Sequence, residues 1–441
     1  MSARIVVVVP HDVIVATLVE SGALAELARE HALVYLTSPA VKARLPGAQE
    51  TVAPQALNSR LGRALDAHFW NLSLFAYYRR HGLSASTSLK GSSLPKRRQL
   101  AYRTLAHPLT SGALSFLDRN VFFARDAALA EFLRRRAPRL VIAPASAMDS
   151  YSHLVVRSAE QLGIATAMLV SHWDYFSKKG LLRVEPRRIY VWGDDMRRSA
   201  IEHNGVAPAR LGVLGAPQFD KYLRPLDARR DDARRRLEIE PAQRLLLFPG
   251  TSAPFDERAV LATLDETIAQ DPALRDVRLL YRPHPRAWAR KSAREVDPAR
   301  LPNVRLDDPG QTSEAHYLDL MAAIDAVVSP FSTMTLEAAL CGKPSLCIGF
   351  SDRVNAWDFA EATNSEHIRS LAGRRWLTVC AERSRVPAMF REFVAGLGEP
   401  RLAERIRAEV RSTVFYNEHS YAARLAERVR ADFGDALRQQ G

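Results

Sequence analysis

The chain has 441 residues, 47% hydrophobic and 25% charged, with a formal net charge of +13 and three cysteines. This composition excludes a disordered or collagen-like chain, and three cysteines without metal-ligand spacing exclude a disulfide framework or a zinc module. The length predicts two domains, no apolar run reaches the ~20 residues that span a bilayer, and the odd cysteine count fits a reducing cytoplasm, with a peripheral place at the inner membrane face open to the protein.

The positive charge admits three partners: nucleic acid, an anionic membrane face or polyanionic small substrates. The clusters Lys96-Arg97-Arg98, Arg134-Arg135-Arg136 and Arg234-Arg235-Arg236 are dispersed and are not interleaved with aromatics. The last two fall in helical patterns beside Asp and Glu and read as solvated helix faces. No nucleic-acid partner is expected.

The opening MSARIVVVVP has an apolar run too short for a signal peptide, and Arg4 to Pro10 reads as a buried strand. His11 and Asp12 follow in the first loop. A helix from about Val13 to Arg29 and a strand from Ala32 to Leu36 complete a βαβ start, which predicts a parallel sheet. The turn after the first strand lacks G-x-G-x-x-G, so no dinucleotide cofactor is indicated. His11 either carries chemistry or satisfies its own loop. From about 55 to 136 the pattern is helical without strands, a helical insertion. Its aromatic stretch AHFWNLSLFAYYRRHG either packs on the domain core, the reading that accounts for most of it, or touches a lipid headgroup layer or a lipid-linked acceptor.

Arg139 to Ala145 is the next strand, then a helix from Ser150 to Leu162. The strand Ile164 to Val170 delivers SHWDYFSKKG, residues 171 to 180, to the sheet's carboxyl edge, where ligands of open α/β sheets bind. His172, Trp173, Asp174 and two lysines share that loop. Arg188 to Trp192 and Arg210 to Gly215 are further strands, and the charged stretch that follows places a domain boundary near Leu223 to Asp227, giving domains 1–222 and 223–441. In the second half Arg244 to Phe248 is a strand. The turn Pro249-Gly250-Thr251-Ser252 after it offers backbone and hydroxyls to a phosphate. Val277 to Tyr281 is a strand ending in RPHPR, where two prolines stiffen the loop and aim His284 between Arg282 and Arg286. Ala326-Val327-Val328 is a buried strand, Ser329-Pro330-Phe331 a breaker, and Ser332 and Thr333 offer an N-cap to a helix carrying Glu337 one turn in. The free N–H groups of such a helix start favour a phosphate, and Glu337 is placed for a ribose diol. Equally, Ser332 is only a cap and Glu337 only a favourable first-turn charge. At the C-terminus Tyr421, Leu425, Val429 and Phe433 recur every fourth residue, so that helix docks on a domain face.

Together SHWDYFSKKG, VWGDDMRRSAIEHNG (191–205), GAPQFD (215–220), RPHPR (282–286) and STMTLEAALCGKP (332–344) give the chain a resemblance to GT-B nucleotide-dependent glycosyltransferases. More narrowly it resembles the bacterial CDP-glycerol glycerophosphotransferase-like and surface-polysaccharide glycosyltransferase families, from about Leu140 onward. The resemblance implies an α/β fold of two Rossmann-like domains facing an interdomain cleft, with a helical insertion in the first and a C-terminal docking helix. It also implies a UDP- or CDP-linked donor held by the second domain, with Arg282 and His284 at the phosphates, Ser332 and Thr333 at the helix start and Glu337 at the ribose. A glycan or lipid-linked acceptor would enter near His11, His172 and Asp174.

No D-x-D appears; Asp194-Asp195 and Asp307-Asp308 are adjacent pairs. Metal-free, cofactor-free transfer is therefore expected, the helix dipole, Arg282 and His284 neutralising the leaving nucleoside diphosphate. An acceptor hydroxyl needs a general base, for which Asp174 or His172 is the first choice and His11 the second. The rivals are a UDP-sugar 2-epimerase, whose carboxylates the sequence does not assemble, and a non-catalytic nucleotide- or glycan-binding module.

Overall fold

A computed structural model describes every residue except 1, 83–93, 118–125, 147–148, 180–181, 225, 252–256, 285–287, 289–295, 309, 349–365, 372 and 439–441. The chain divides into two compact units, the first running to Asp220 and resuming at Ser412, the second covering Lys221–Arg411.

The first unit holds seven strands: β1 (Arg4–Val9), β2 (Ala32–Thr37), β3 (Ala48–Thr51), β4 (Leu140–Ala145), β5 (Ala165–Val170), β6 (Arg188–Val191) and β7 (Leu211–Val213). They form one parallel sheet in the order β3-β2-β1-β4-β5-β6-β7. The central strands RIVVVV, LVIAPA and ATAMLV are almost wholly apolar because helices cover both faces of the sheet. Two local expectations differ. The helix foreseen from Val13 to Arg29 is broken at Gly22, whose φ is +74°, into a π-turn at Val15–Glu20 and a short helix α1 (Ala25–Glu30). Strand β3, AQET, had no apolar signal because it is a mostly exposed edge strand with one neighbour.

Between β3 and β4 lie the helices α2 (Arg60–Arg80), α3 (Lys96–Leu105), α4 (Pro108–Leu117) and α5 (Ala127–Arg136). The aromatics of α2 go inward: Trp70, Phe75, Tyr77 and Tyr78 are buried, each worth about 2–3 kcal/mol. One face of α2 is tied down by polar contacts. Asp66 pairs with Arg183 at 2.6 Å and accepts from the Ser150 hydroxyl at 2.6 Å, while Tyr77 Oη donates to the Phe176 carbonyl at 2.6 Å. These bonds fix the insertion against α6 (Ser150–Gln161) and against the loop after β5.

After α7 (Asp194–Asn204) and a 3-10 segment at Pro217–Tyr222 the chain enters the second unit. Its strands β8 (Arg244–Pro249), β9 (Val277–Arg282), β10 (Val304–Leu306), β11 (Ala326–Ser329), β12 (Ser345–Ile348) and β13 (Leu377–Cys380) form a second parallel sheet, ordered β10-β9-β8-β11-β12-β13. Its helices include α8 (Asp227–Arg236), α9 (Glu257–Gln270), α10 (Glu314–Ala323), α11 (Thr333–Leu340), α12 (Val386–Gly396) and α13 (Leu402–Val410). One core joins Phe248, Leu279 and Val328 of the sheet to Leu261 and Leu264 of α9 and Phe390 of α12. In α8 Arg235 and Arg236 are solvated as expected, but Arg234 is buried. It donates to the carbonyls of Ala323 at 3.1 Å and Gln243 at 2.6 Å and lies 3.5 Å from Asp325, so one residue of that basic run pins the helix.

The last helix, α14 (Tyr421–Arg438), corrects the expected division at 222/223. Tyr421, Leu425, Val429 and Phe433 do bury, but in the core of the first unit with Ile5, Val7 and Leu27. The returning segment is also bonded there. Phe415 N–H donates to the Trp192 carbonyl at 2.7 Å, Thr413 Oγ1 to Asp195 at 2.7 Å, and Tyr190 Oη to Asp432 at 2.7 Å. Gly215, at φ +89°, lets the segment pass, since a Cβ there would lie 2.2 Å from the Phe415 carbonyl oxygen. The GDD and GAPQFD stretches therefore dock the chain's own C-terminus.

Candidate functional site

In an open parallel sheet the crevice for a ligand lies where the chain stops adding strands on one side and crosses to the other, outside the carboxyl ends of the two strands at that point. In the first sheet the crossing falls between β1 and β4; in the second it falls between β8 and β11. The segments leaving those four strands begin at Pro10, Ser146, Gly250 and Pro330.

At the first crossing His11 follows β1 and Ser146 follows β4, with His172 following the neighbouring β5. Ser146 Oγ stands 3.4 Å from His11 Nε2 and 3.3 Å from His172 Nε2, so three adjacent strand ends present one His–Ser–His row. A single hydroxyl can donate to only one of these nitrogens and must accept from the other, which couples the tautomers of the two rings. Burial holds the His11 imidazole below its usual value of 6.5, with Asp12 acting the other way, which favours the neutral ring at pH 7. Asp174 is buried at the start of the Tyr175–Lys179 π-turn; His172, not Asp174, reaches Ser146.

Sequence reasoning missed Ser146 and Asp149. Asp149 caps α6, its Oδ1 accepting from Ser152 N–H at 3.1 Å, while its carbonyl accepts from His153 Nδ1 at 2.7 Å. Its Oδ2 is buried without a hydrogen-bond partner among the described residues, as is the Tyr175 hydroxyl. Burial pushes the Asp149 carboxyl up to about 6, a value suited to proton exchange near neutrality. The available signal was position: both residues follow a wholly apolar strand within four residues.

At the second crossing Thr251 follows β8, His284 follows β9 and Ser332 follows β11. Neighbouring strands are ~4.8 Å apart, so β9 and β11, on either side of β8, end about 10 Å apart. The loops after β8 and β9 touch: a Cβ on Gly250 would lie 2.9 Å from His284 N and 2.9 Å from Glu257 Oε2. Glu257, also missed, accepts from Thr251 N–H at 2.6 Å and from Tyr281 Oη at 2.8 Å, fixing the turn in place. Ser252 and Arg286 lie outside the described residues.

Ser332 is the N-cap of α11, yet its hydroxyl makes no cap bond and is buried without a partner among the described residues. Thr333 is exposed at the first helical position. Glu337 accepts from Tyr222 Oη at 2.8 Å; burial raises its carboxyl above the usual value, while Tyr222, Lys221 and Arg282 act to lower it. Arg282 reaches this neighbourhood with its charge already met. It is buried, paired with Asp307, donating to the Gln311 carbonyl at 2.6 Å and stacked 4.7 Å from the Tyr317 ring. The pair with Asp307 anchors the end of β9.

The fold is of the GT-B type: two α/β units, each built on a parallel sheet. The chain is similar in structure to UDP-GlcNAc 2-epimerase from Neisseria meningitidis bound to UDP-GlcNAc, with TM-score 0.55 and 10% identity over 97% of this chain and 100% of that one. It is similar to the MnaA–UDP co-structure from S. aureus, with TM-score 0.58 and 11% identity over 100% and 99%. A glycosyltransferase from Rickettsia africae gives TM-score 0.53 and 10% identity over the whole of both chains. No protein-family description matches the sequence, and no curated protein matches it.

Proposed function

We propose that the protein transfers a glycosyl (or glycerol-phosphate-like) group from a UDP- or CDP-linked donor to an acceptor hydroxyl, without metal or cofactor, in the synthesis of a bacterial surface polysaccharide or glycoconjugate. One observation carries the reading: His11 and Ser146, with His172 on the neighbouring strand, stand at the crossing of the first sheet, and Thr251 and the start of α11, with His284 on the neighbouring strand, stand at the crossing of the second. The motif resemblance to CDP-glycerol glycerophosphotransferase-like enzymes and the UDP-ligand named in two similar structures support it.

In this reading the start of α11 with Ser332 and Thr333, together with Thr251 and His284, receives the donor pyrophosphate. Glu337, oriented by Tyr222, holds the ribose diol. Arg282 positions the β9 loop. In glycosyl transfer the acceptor hydroxyl gives its proton to Ser146 Oγ as that hydroxyl passes its own to His11 Nε2, the acceptor oxygen bonds to the donor carbon, and the bond from that carbon to the donor phosphate oxygen breaks. The charge left on the nucleoside diphosphate is met by the helix N–H groups and His284. Ser146 and His172 keep the His11 ring in register.

A second reading, UDP-sugar 2-epimerisation, is favoured by Asp149, a carboxyl near neutrality that the sequence reading lacked. Incubation with UDP- and CDP-sugars, with and without glycan or polyprenyl-phosphate acceptors, separates the two by NMR. Release of nucleoside diphosphate and sugar transfer only when acceptor is present is the expected result. Epimer formed without acceptor would replace it with the second reading.

A further inference from the structure

We propose that the outward side of α3 and α4 docks on an anionic phospholipid bilayer. Residues 67–117 contain seven basic residues (Arg79, Arg80, Lys90, Lys96, Arg97, Arg98 and Arg103) and no Asp or Glu. That one stretch supplies +7 of a net charge of +13.

The aromatics of α2 that suggested a lipid contact are buried, so the surface lies elsewhere. Both α3 and α4 pack on α2, and what they turn away from it is not a usual polar face. Leu100 is 67% exposed, Leu105 61% and Phe116 63%, three of the seven large apolar side chains exposed among the described residues. In α3 the buried Tyr102 faces inward while Arg97, Arg98, Leu100, Arg103 and Leu105 are exposed, so cations and apolar groups share one surface.

Three occupants could cover such a surface. A second copy of the chain in a two-fold contact would set an acid-free basic patch against itself, a like-charge arrangement that opposes association. A nucleic acid would use the arginines but gain nothing from exposed leucines. An anionic bilayer uses both: headgroup phosphates meet the guanidinium groups, and Leu and Phe enter the acyl boundary. No helix among the described residues is long and apolar enough to cross a membrane, so the contact is lateral. The proposal does not depend on the transfer reaction.

Co-sedimentation of the full chain with vesicles tests it. Wild type is expected to bind phosphatidylglycerol–phosphatidylcholine vesicles at least ~10-fold more strongly than pure phosphatidylcholine, with binding weakened by salt. The triple variants Leu100→Ser/Leu105→Ser/Phe116→Ser and Arg97→Glu/Arg98→Glu/Arg103→Glu, checked by thermal melting to be folded, should each lose about 10-fold or more. Equal binding by wild type and both variants would overturn the proposal. So would tight heparin or duplex DNA binding with no vesicle binding, or a dimer at assay concentration that the apolar variant abolishes.

Discussion

Replacing Leu425 and Phe433 together by alanine is expected to destabilise the first unit by about 5–9 kcal/mol, enough to unfold it under ordinary conditions. Both side chains are fully buried in the cluster that holds Ile5, Val7 and Val9 of the central strand. Each truncation removes a transfer term and leaves a cavity, and the two sites lie two helical turns apart, so their costs should add. Hydrogen exchange read by mass spectrometry locates the damage. Protection should be lost in β1, β4 and β6 and kept in β8, β9 and β11. Loss confined to the second sheet would return the C-terminal helix to the division expected from sequence.

His11→Ala is expected to lower kcat by about 10²- to 10⁴-fold with little change in donor affinity, the effect of removing a general base. The pH profile gives the sign. Burial holds the His11 imidazole below 6.5, so its basic form is lost only as pH falls below that value. In wild type kcat/KM should be level through neutrality and fall on the acid side of 6.5; the variant should show no such limb. His172→Ala should be milder, since it supports the His11 ring through Ser146. A limb kept in His11→Ala and lost in His172→Ala would exchange the two roles.

The alternation of strands and helices was legible because parallel strands buried on both faces must be continuous apolar runs, and RIVVVV, LVIAPA and RLLLF announce themselves. Strand β3 was not legible because an edge strand with exposed side chains has no such run. The face of α14 was legible from its four-residue recurrence, but periodicity says only that a face is buried, never against which sheet. The same limit applies to the site. His11, His172, His284, Ser332 and Glu337 were candidates by residue type and position after a strand, and their place at the carboxyl ends of strands or just inside the helix that follows was legible for that reason. Ser146, Asp149 and Glu257 are ordinary residues whose meaning comes from what the sheet order sets beside them. For Arg282 the sequence shows a cation flanking a rigid histidine loop, and only Asp307, brought in by the next strand crossover, reveals that it is also one half of a buried pair.

The central claim is that a nucleoside diphosphate is held at the start of α11 in the second unit. Isothermal titration of UDP and CDP into wild type, Ser332→Ala, Glu337→Ala and His11→Ala tests it most directly. One nucleotide should bind wild type and His11→Ala alike, with about a 10- to 100-fold loss in Glu337→Ala and a smaller loss in Ser332→Ala, the scale of one charged and one neutral hydrogen bond. Unchanged affinity in both second-unit variants would contradict the account.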